Sequence, residues 1–279
     1  MSDVLRAATP SPRFRKGFAW WTAGMIRRSF HAWRLTPEAH RLLTELGESA
    51  RPVLAVSNHP SWWDPLIALQ LAEAYLPGRP LASPIELAEY ERFGVLRKLG
   101  LFGLDPRHPE ALPQMLDHLD RRLDEDENLV IMVTAQGRFA DPRSRIRLRP
   151  GAAAVAAHHP ELSVLTLAIE YPFWDDRRAE IAIHAAPVDP PTTPTRTAWH
   201  RALNRTLQST ADGLADRVIA RDPAAFVDLP GKRAGRGSAV NPLYDFWLRL
   251  RGVNPRLNPR NDPRNDARND THPPSEATR

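Results

Sequence analysis

Val53-Leu54-Ala55-Val56-Ser57-Asn58-His59-Pro60-Ser61-Trp62-Trp63-Asp64-Pro65 is the stretch on which the fold turns. Its apolar run stops at Ser57-Asn58 and a helical pattern begins near Asp64, so the segment predicts strand, turn and helix. The turn carries His59 five positions before Asp64. In open α/β sheets the loops leaving the carboxyl ends of strands hold the ligands, which makes this turn the place to look for acid/base chemistry.

Working outward, apolar runs and helical patterns alternate. Strands are predicted at 52–57, 81–83, 101–104, 129–134, 163–169 and 180–184, and helices at 64–75, 86–99, 109–126, 151–158 and 196–220. Thr36-Pro37-Glu38 reads as an N-cap, an N1 proline and an acidic first turn opening a further helix to about Glu48. Short apolar strands between helices predict an α/β fold, a mostly parallel sheet flanked by helices. The expected layout is an N-terminal segment 1–36, a domain 37–220 and a tail 221–279.

Composition narrows the chemistry. The chain has no cysteine, which excludes disulfides, thiolate metal sites and a cysteine nucleophile. Its net charge of +5 comes almost wholly from arginine, since Lys16, Lys98 and Lys232 are the lysines. Guanidinium suits planar bidentate anions such as phosphate and carboxylate. No nucleic-acid reader motif accompanies the basic residues, so no nucleic-acid partner is expected. No apolar run approaches the roughly 18 residues of a spanning helix, and no secretory signal pattern is present.

The N-terminal segment predicts an amphipathic helix over 14–35, with Phe14, Phe18, Trp21 and Met25 at helical spacing among Arg13, Arg15, Lys16, Arg27 and Arg28. Rings flanked by cations suit a helix lying in a membrane interface, or one packing its rings on the protein's own core. The tail contains an Asn/Arg/Asp repeat over 254–270 that cannot bury enough surface to offset its ordering entropy, so it is expected to be disordered. His158-His159 reads as a helix-end feature, and no histidine/carboxylate set has metal spacing, so no metal is expected.

Within the opening turn, an imidazole is the one side chain that can both take and return a proton. Asp64 could orient it through the second ring nitrogen, or could cap the helix with Pro65 at N1; one carboxylate can do both. The strand-Asn58-His59-x4-Asp64-helix arrangement resembles the first motif of the PlsC-like glycerolipid and lysophospholipid acyltransferase family. Further motifs follow in order: 99–107 (LGLFGLDPR), 133–139 (VTAQGRF), 149–153 (RPGAA) and a strand ending at Glu170-Tyr171-Pro172. The resemblance covers roughly 37–188 and implies a glycerol-3-phosphate acyltransferase-like fold. It also implies His59 as general base on an acceptor hydroxyl, oriented by Asp64, with acyl-CoA or acyl carrier protein as co-substrate and no other cofactor. Asn58, Arg107, Gln136, Gly137 and Arg138 then become the expected substrate-binding residues.

The chain departs from the family at two points. Pro106 moves Arg107 one place later than the family's second-motif arginine, and Gln136-Gly137-Arg138-Phe139 stands where the family has Glu-Gly-Thr-Arg. Glutamine lacks the charge and can donate as well as accept. The resemblance therefore implies a lysophospholipid acceptor but leaves open a glycosylated or other lipid alcohol, and also a non-catalytic protein that kept the fold. Arg143, Arg145, Arg147 and Arg149 alternate, which on an extended segment puts four cations on one face, either toward anionic lipid or an acidic carrier protein or simply toward solvent. A peripheral location on the cytoplasmic face of the cell membrane is expected.

Overall fold

The computed structural model describes residues 4–230 apart from Ala135 and Asp175, together with Trp247, Leu250 and Arg251. The tail reading therefore falls almost wholly outside the described residues. In chain order the elements are β1 (Leu5–Arg6), α1 (Pro12–Ser29), β2 (Trp33–Leu35), α2 (Pro37–Glu48), β3 (Val53–Ser57), α3 (Asp64–Tyr75), β4 (Leu81–Glu86) and α4 (Leu87–Arg92). They continue with β5 (Leu101–Leu104), α5 (Ala111–Glu125), β6 (Val130–Thr134), α6 (Gly151–His158), β7 (Ser163–Glu170), β8 (Ile181–Pro187) and α7 (Arg196–Ala220).

One eight-stranded sheet runs β1-β5-β4-β6-β3-β7-β8-β2, with only the β1–β5 and β7–β8 pairs antiparallel. The α/β fold with a mostly parallel sheet flanked by helices is therefore present. β3 lies inside it, paired with β6 and β7, and its residues Val53 to Val56 are buried on both faces. That explains the unbroken apolar run: a strand covered on both sides has no solvent face to mark with polar residues. Leu54 and Val56 point into a core closed by α5, α6 and α7, whereas Val53 and Ala55 point into one closed by α1, α2 and α3.

The N-terminal segment differs from expectation. The helix ends at Ser29, and Trp33–Leu35 forms β2, parallel to β8 with Trp33 opposite Ile181. Helical periodicity continues across this point, but pairing with a neighbouring strand overrides it. β1 and β2 occupy the two edges of the sheet, so residues 4–36 do not stand apart from the domain. At the other end Val227 exchanges backbone hydrogen bonds with Leu35 and Leu229 is buried, which carries the packed region past residue 220.

The helices forecast at 64–75, 151–158 and 196–220 match α3, α6 and α7, whereas the one forecast at 86–99 breaks. Thr36 caps α2 by accepting from the Ala39 N–H, as expected. The forecast helix 86–99 splits into α4 and a 3-10 turn at Leu96–Leu99, with Phe93-Gly94 between them. β4 extends through Pro84, pairing with β6 at Leu81 and Ala82 and with β5 from Ser83 to Glu86. Proline has no N–H to give a second neighbour, so it sits where β4 has parted from β6. The sheet opens there, at the carboxyl end next to the strand that carries His59.

Candidate active site

β3 and β6 are neighbours whose connections leave in opposite directions. β3 returns through α3 to β4 on one face, and β6 crosses through α6 to β7 on the other. A crevice forms at the carboxyl ends of two such strands. The turn 58–63 enters it from β3 and the loop 136–150 from β6, so the first and third motifs meet by topology.

His59 Nδ1 lies 2.6 Å from Asp64 Oδ2, with the Asp64 side chain 2% exposed and that of His59 16%. Asp64 is the first residue of α3, but it does not cap it; Trp63 holds the N-cap position without a side-chain hydrogen bond. Both carboxylate oxygens turn back into the loop instead. Oδ2 also accepts from the Ser61 N–H at 3.0 Å, and Oδ1 accepts from the Tyr171 hydroxyl at 2.6 Å. Burial, and then Asp64, push the Tyr171 pKa far up, so the phenol stays a proton donor to the carboxylate.

The loop after β6 grips the backbone of His59 on both sides. Gln136 Oε1 accepts from the His59 N–H at 3.2 Å, and the His59 carbonyl accepts from the Ala140 N–H at 3.0 Å. The Phe139 ring lies 4.4 Å from the imidazole. Gln136 is therefore a positioning residue for His59. A carboxylate could accept the same N–H, so the glutamine keeps that contact while dropping the charge.

The other expected binding residues scatter. Asn58 is buried, and both ends of its amide are taken by the Ile169 backbone, accepting from N–H at 2.9 Å and donating to C=O at 3.0 Å. It ties β3 to β7, which is a positioning role within the strand ends. Gly137 adopts φ +61°, and a Cβ there would lie 2.6 Å from Arg149 Nε, so the guanidinium packs where a side chain would be. Arg138 is exposed beside it. Arg107 bonds Asp105 at 3.3 Å, with its side chain 81% exposed, at the end of β5. Three inter-strand steps separate β5 from β3, about 14 Å, so Arg107 shares the edge of the sheet but not the histidine's contacts.

Sequence reasoning missed Tyr171 and Glu170 as members of the site. Glu170 is buried, raised in pKa first by desolvation and pulled back by Arg143, whose guanidinium is 3.3 Å away. A polar Glu-Tyr pair closing an apolar strand was the available signal. A rim of exposed rings also marks this side: Trp62 and Phe139 on the two loops and Phe173 just after Tyr171. On α1, Ala19, Thr22 and Ile26 face the core while Trp20 is 81% and Trp21 54% exposed. Far from this edge, Asp120, His158 and His159 bring their donor atoms within 4.8 Å of one another at the carboxyl end of α6, a gathering invisible in sequence.

The sequence of residues 39–170 matches the acyltransferase family model, and all five motifs lie inside or overlap that span. Residues 39–170 therefore form an acyltransferase-type domain. Among solved structures, this chain is similar to the 1-acyl-sn-glycerophosphate (LPA) acyltransferase PlsC from Thermotoga maritima. That likeness has a TM-score of 0.45 at 14% identity, over 74% of this chain and 77% of that one. No curated protein matches the sequence. No helix among the described residues is long and apolar enough to cross a membrane.

Proposed function

We propose that this acyltransferase moves a fatty acyl group from an acyl thioester to a hydroxyl of a lysophospholipid or related lipid, at a membrane surface. The observation that carries the proposal is the 2.6 Å His59–Asp64 contact, held by Ser61 and Tyr171 at the carboxyl ends of β3 and β6. With Nδ1–H donated to Asp64, Nε2 keeps its lone pair for an acceptor hydroxyl. As the hydroxyl oxygen attacks the thioester carbon, its proton passes to Nε2 and the carbonyl electrons move onto oxygen. Collapse of that intermediate breaks the C–S bond, and the imidazolium returns the proton to the leaving thiolate. Asp64 stabilises the imidazolium while it exists.

Other features support the membrane part of the proposal. Exposed Trp20 and Trp21 sit on a helix with Arg27 and Arg28 in its last turn, where Phe14 stacks on Phe18 at 5.8 Å and Phe18 meets Trp21 in a tilted contact at 5.6 Å. Rings left outside the core with cations beside them fit an anionic interface. The net charge of +5 and the absence of cysteine suit the cytoplasmic leaflet.

The test is thiol release from an acyl thioester by the purified protein with vesicles containing a lysophospholipid or lipid alcohol. His59→Ala is expected to lower it by about 10²- to 10⁴-fold with the fold intact by circular dichroism. A folded variant that kept most of the activity would remove His59 from the chemistry.

A further inference from the structure

Ile146 and Leu148 are buried in the core, whereas Arg145 and Arg147 between and before them are exposed, so the segment after the third motif is extended with its arginines outward. It runs antiparallel to the first half of α7: Gln208 accepts from the Ile146 N–H at 2.9 Å, and Asn204 from the Leu148 N–H at 3.2 Å. On α7, Arg201 and Arg205 are one turn apart, on one face. Together these walls enclose a groove of about 700 Å³ with four guanidiniums and no carboxylate among its lining residues.

The polar groups of the groove divide into two kinds. The amides of Asn204 and Gln208 are spent within the walls, including bonds to the His200 carbonyl and to Asp212. Among the described residues the guanidiniums of Arg145, Arg147, Arg201 and Arg205 have neither a hydrogen bond nor an ion pair. Arg143, in the same alternating run, differs because Glu170 neutralises it. Four like charges held in one concavity repel each other until an anion enters, and guanidinium favours phosphate bidentately.

We propose that this groove binds clustered phosphates, and that its occupant is the phosphorylated nucleotide end of a coenzyme A thioester. The proposal rests on the acyl-transfer reading and names the donor for it. The groove's volume suits a small ligand rather than a flat bilayer or a protein helix. It also connects to the site: Arg149 follows Leu148 and packs against Gly137, whose neighbour Gln136 holds the His59 N–H. From Arg147 to Arg149 is two extended residues, about 7 Å, so the acyl arm of a ligand anchored in the groove can run along this edge to the histidine.

Binding of free coenzyme A, followed by calorimetry, reads the groove without any acyl transfer. Affinity is expected to fall about tenfold for each of Arg147→Ser and Arg201→Ser, with unchanged melting temperature, and to weaken as salt is raised. Arg201→Lys is expected to recover part of the loss, since it keeps the charge without the planar fork. In turnover, the preference for acyl-CoA over acyl-pantetheine, which has the same thioester and no nucleotide, is expected to shrink in the two serine variants. Coenzyme A affinity unchanged in both would overturn the proposal. So would an unchanged affinity accompanied by loss of acyl carrier protein use or of vesicle binding, which would assign the groove to an acidic protein or to lipid headgroups. If His59→Ala retains activity, the coenzyme A measurement still decides the groove, so the two failures are separable.

Discussion

The His59 loop and the α7 groove are both polar regions linked by the segment 136–149, yet they are built on opposite terms. In the loop each functional group is matched: Asp64 has partners on both oxygens, Asn58 is spent on Ile169, and Gln136 is spent on His59. In the groove the amides are matched and the guanidiniums are not. Matched groups in a low-dielectric interior hold a geometry in advance of any ligand. Unmatched cations at a surface hold no geometry and are left for a partner to satisfy. The loop is thus expected to be sensitive in both rate and stability, the groove in binding alone.

Asp64→Asn is the strongest way to break that comparison. Asparagine keeps the shape but cannot accept from His59, Ser61 and Tyr171 together, and acyl transfer is expected to fall by about 10³- to 10⁴-fold in the thiol-release assay. Asn58→Ala comes next. It strands the buried Ile169 N–H and C=O, and urea unfolding is expected to show a loss of about 2–4 kcal/mol.

His118 sharpens the contrast with a third case, a titratable group that is buried and also unmatched. Its Nε2 has no partner and the ring lies 4.6 Å from Phe102, and burial lowers its pKa from 6.5 to about 4. The unfolded chain therefore takes up the proton first as pH falls. This contribution to stability is complete above pH 6.5 and is lost progressively down to about pH 4. Melting temperature measured across that window is expected to drop less steeply in His118→Leu than in the wild type, and equal slopes would show that His118 does not set the dependence. Arg205→Ser is the smallest expected effect: unfolding free energy within about 0.5 kcal/mol of wild type, because an exposed unpaired guanidinium contributes little to the fold.

Legibility in the sequence followed the range of the interactions. The β3 to α3 unit was readable because burial on both faces leaves an unbroken apolar run, and α2 because its cap, Thr36, acts on Ala39 three residues on. β2 was not, since Trp33 to Leu35 continues a helical pattern and becomes a strand only by lying beside Ile181 to Ile183. The positioning role of Asn58 was not legible either, because nothing within its own loop shows that its amide bonds Ile169. Among the alternating arginines, Arg143, Arg149 and the pair lining the groove have three different environments that their identical spacing cannot distinguish.

The sequence by itself determined the class of fold, the order of the motifs and the five-residue offset that lets His59 and Asp64 meet across one turn, because each depends on residues close in the chain. Only the tertiary structure decided that Tyr171 completes the carboxylate's partners, that Gln136 holds the histidine backbone, and that Arg145 and Arg147 face Arg201 and Arg205 across a groove. Those contacts join segments separated by tens of residues. Parallel pairing of β6, β3 and β7 brings them together, and no local pattern encodes it.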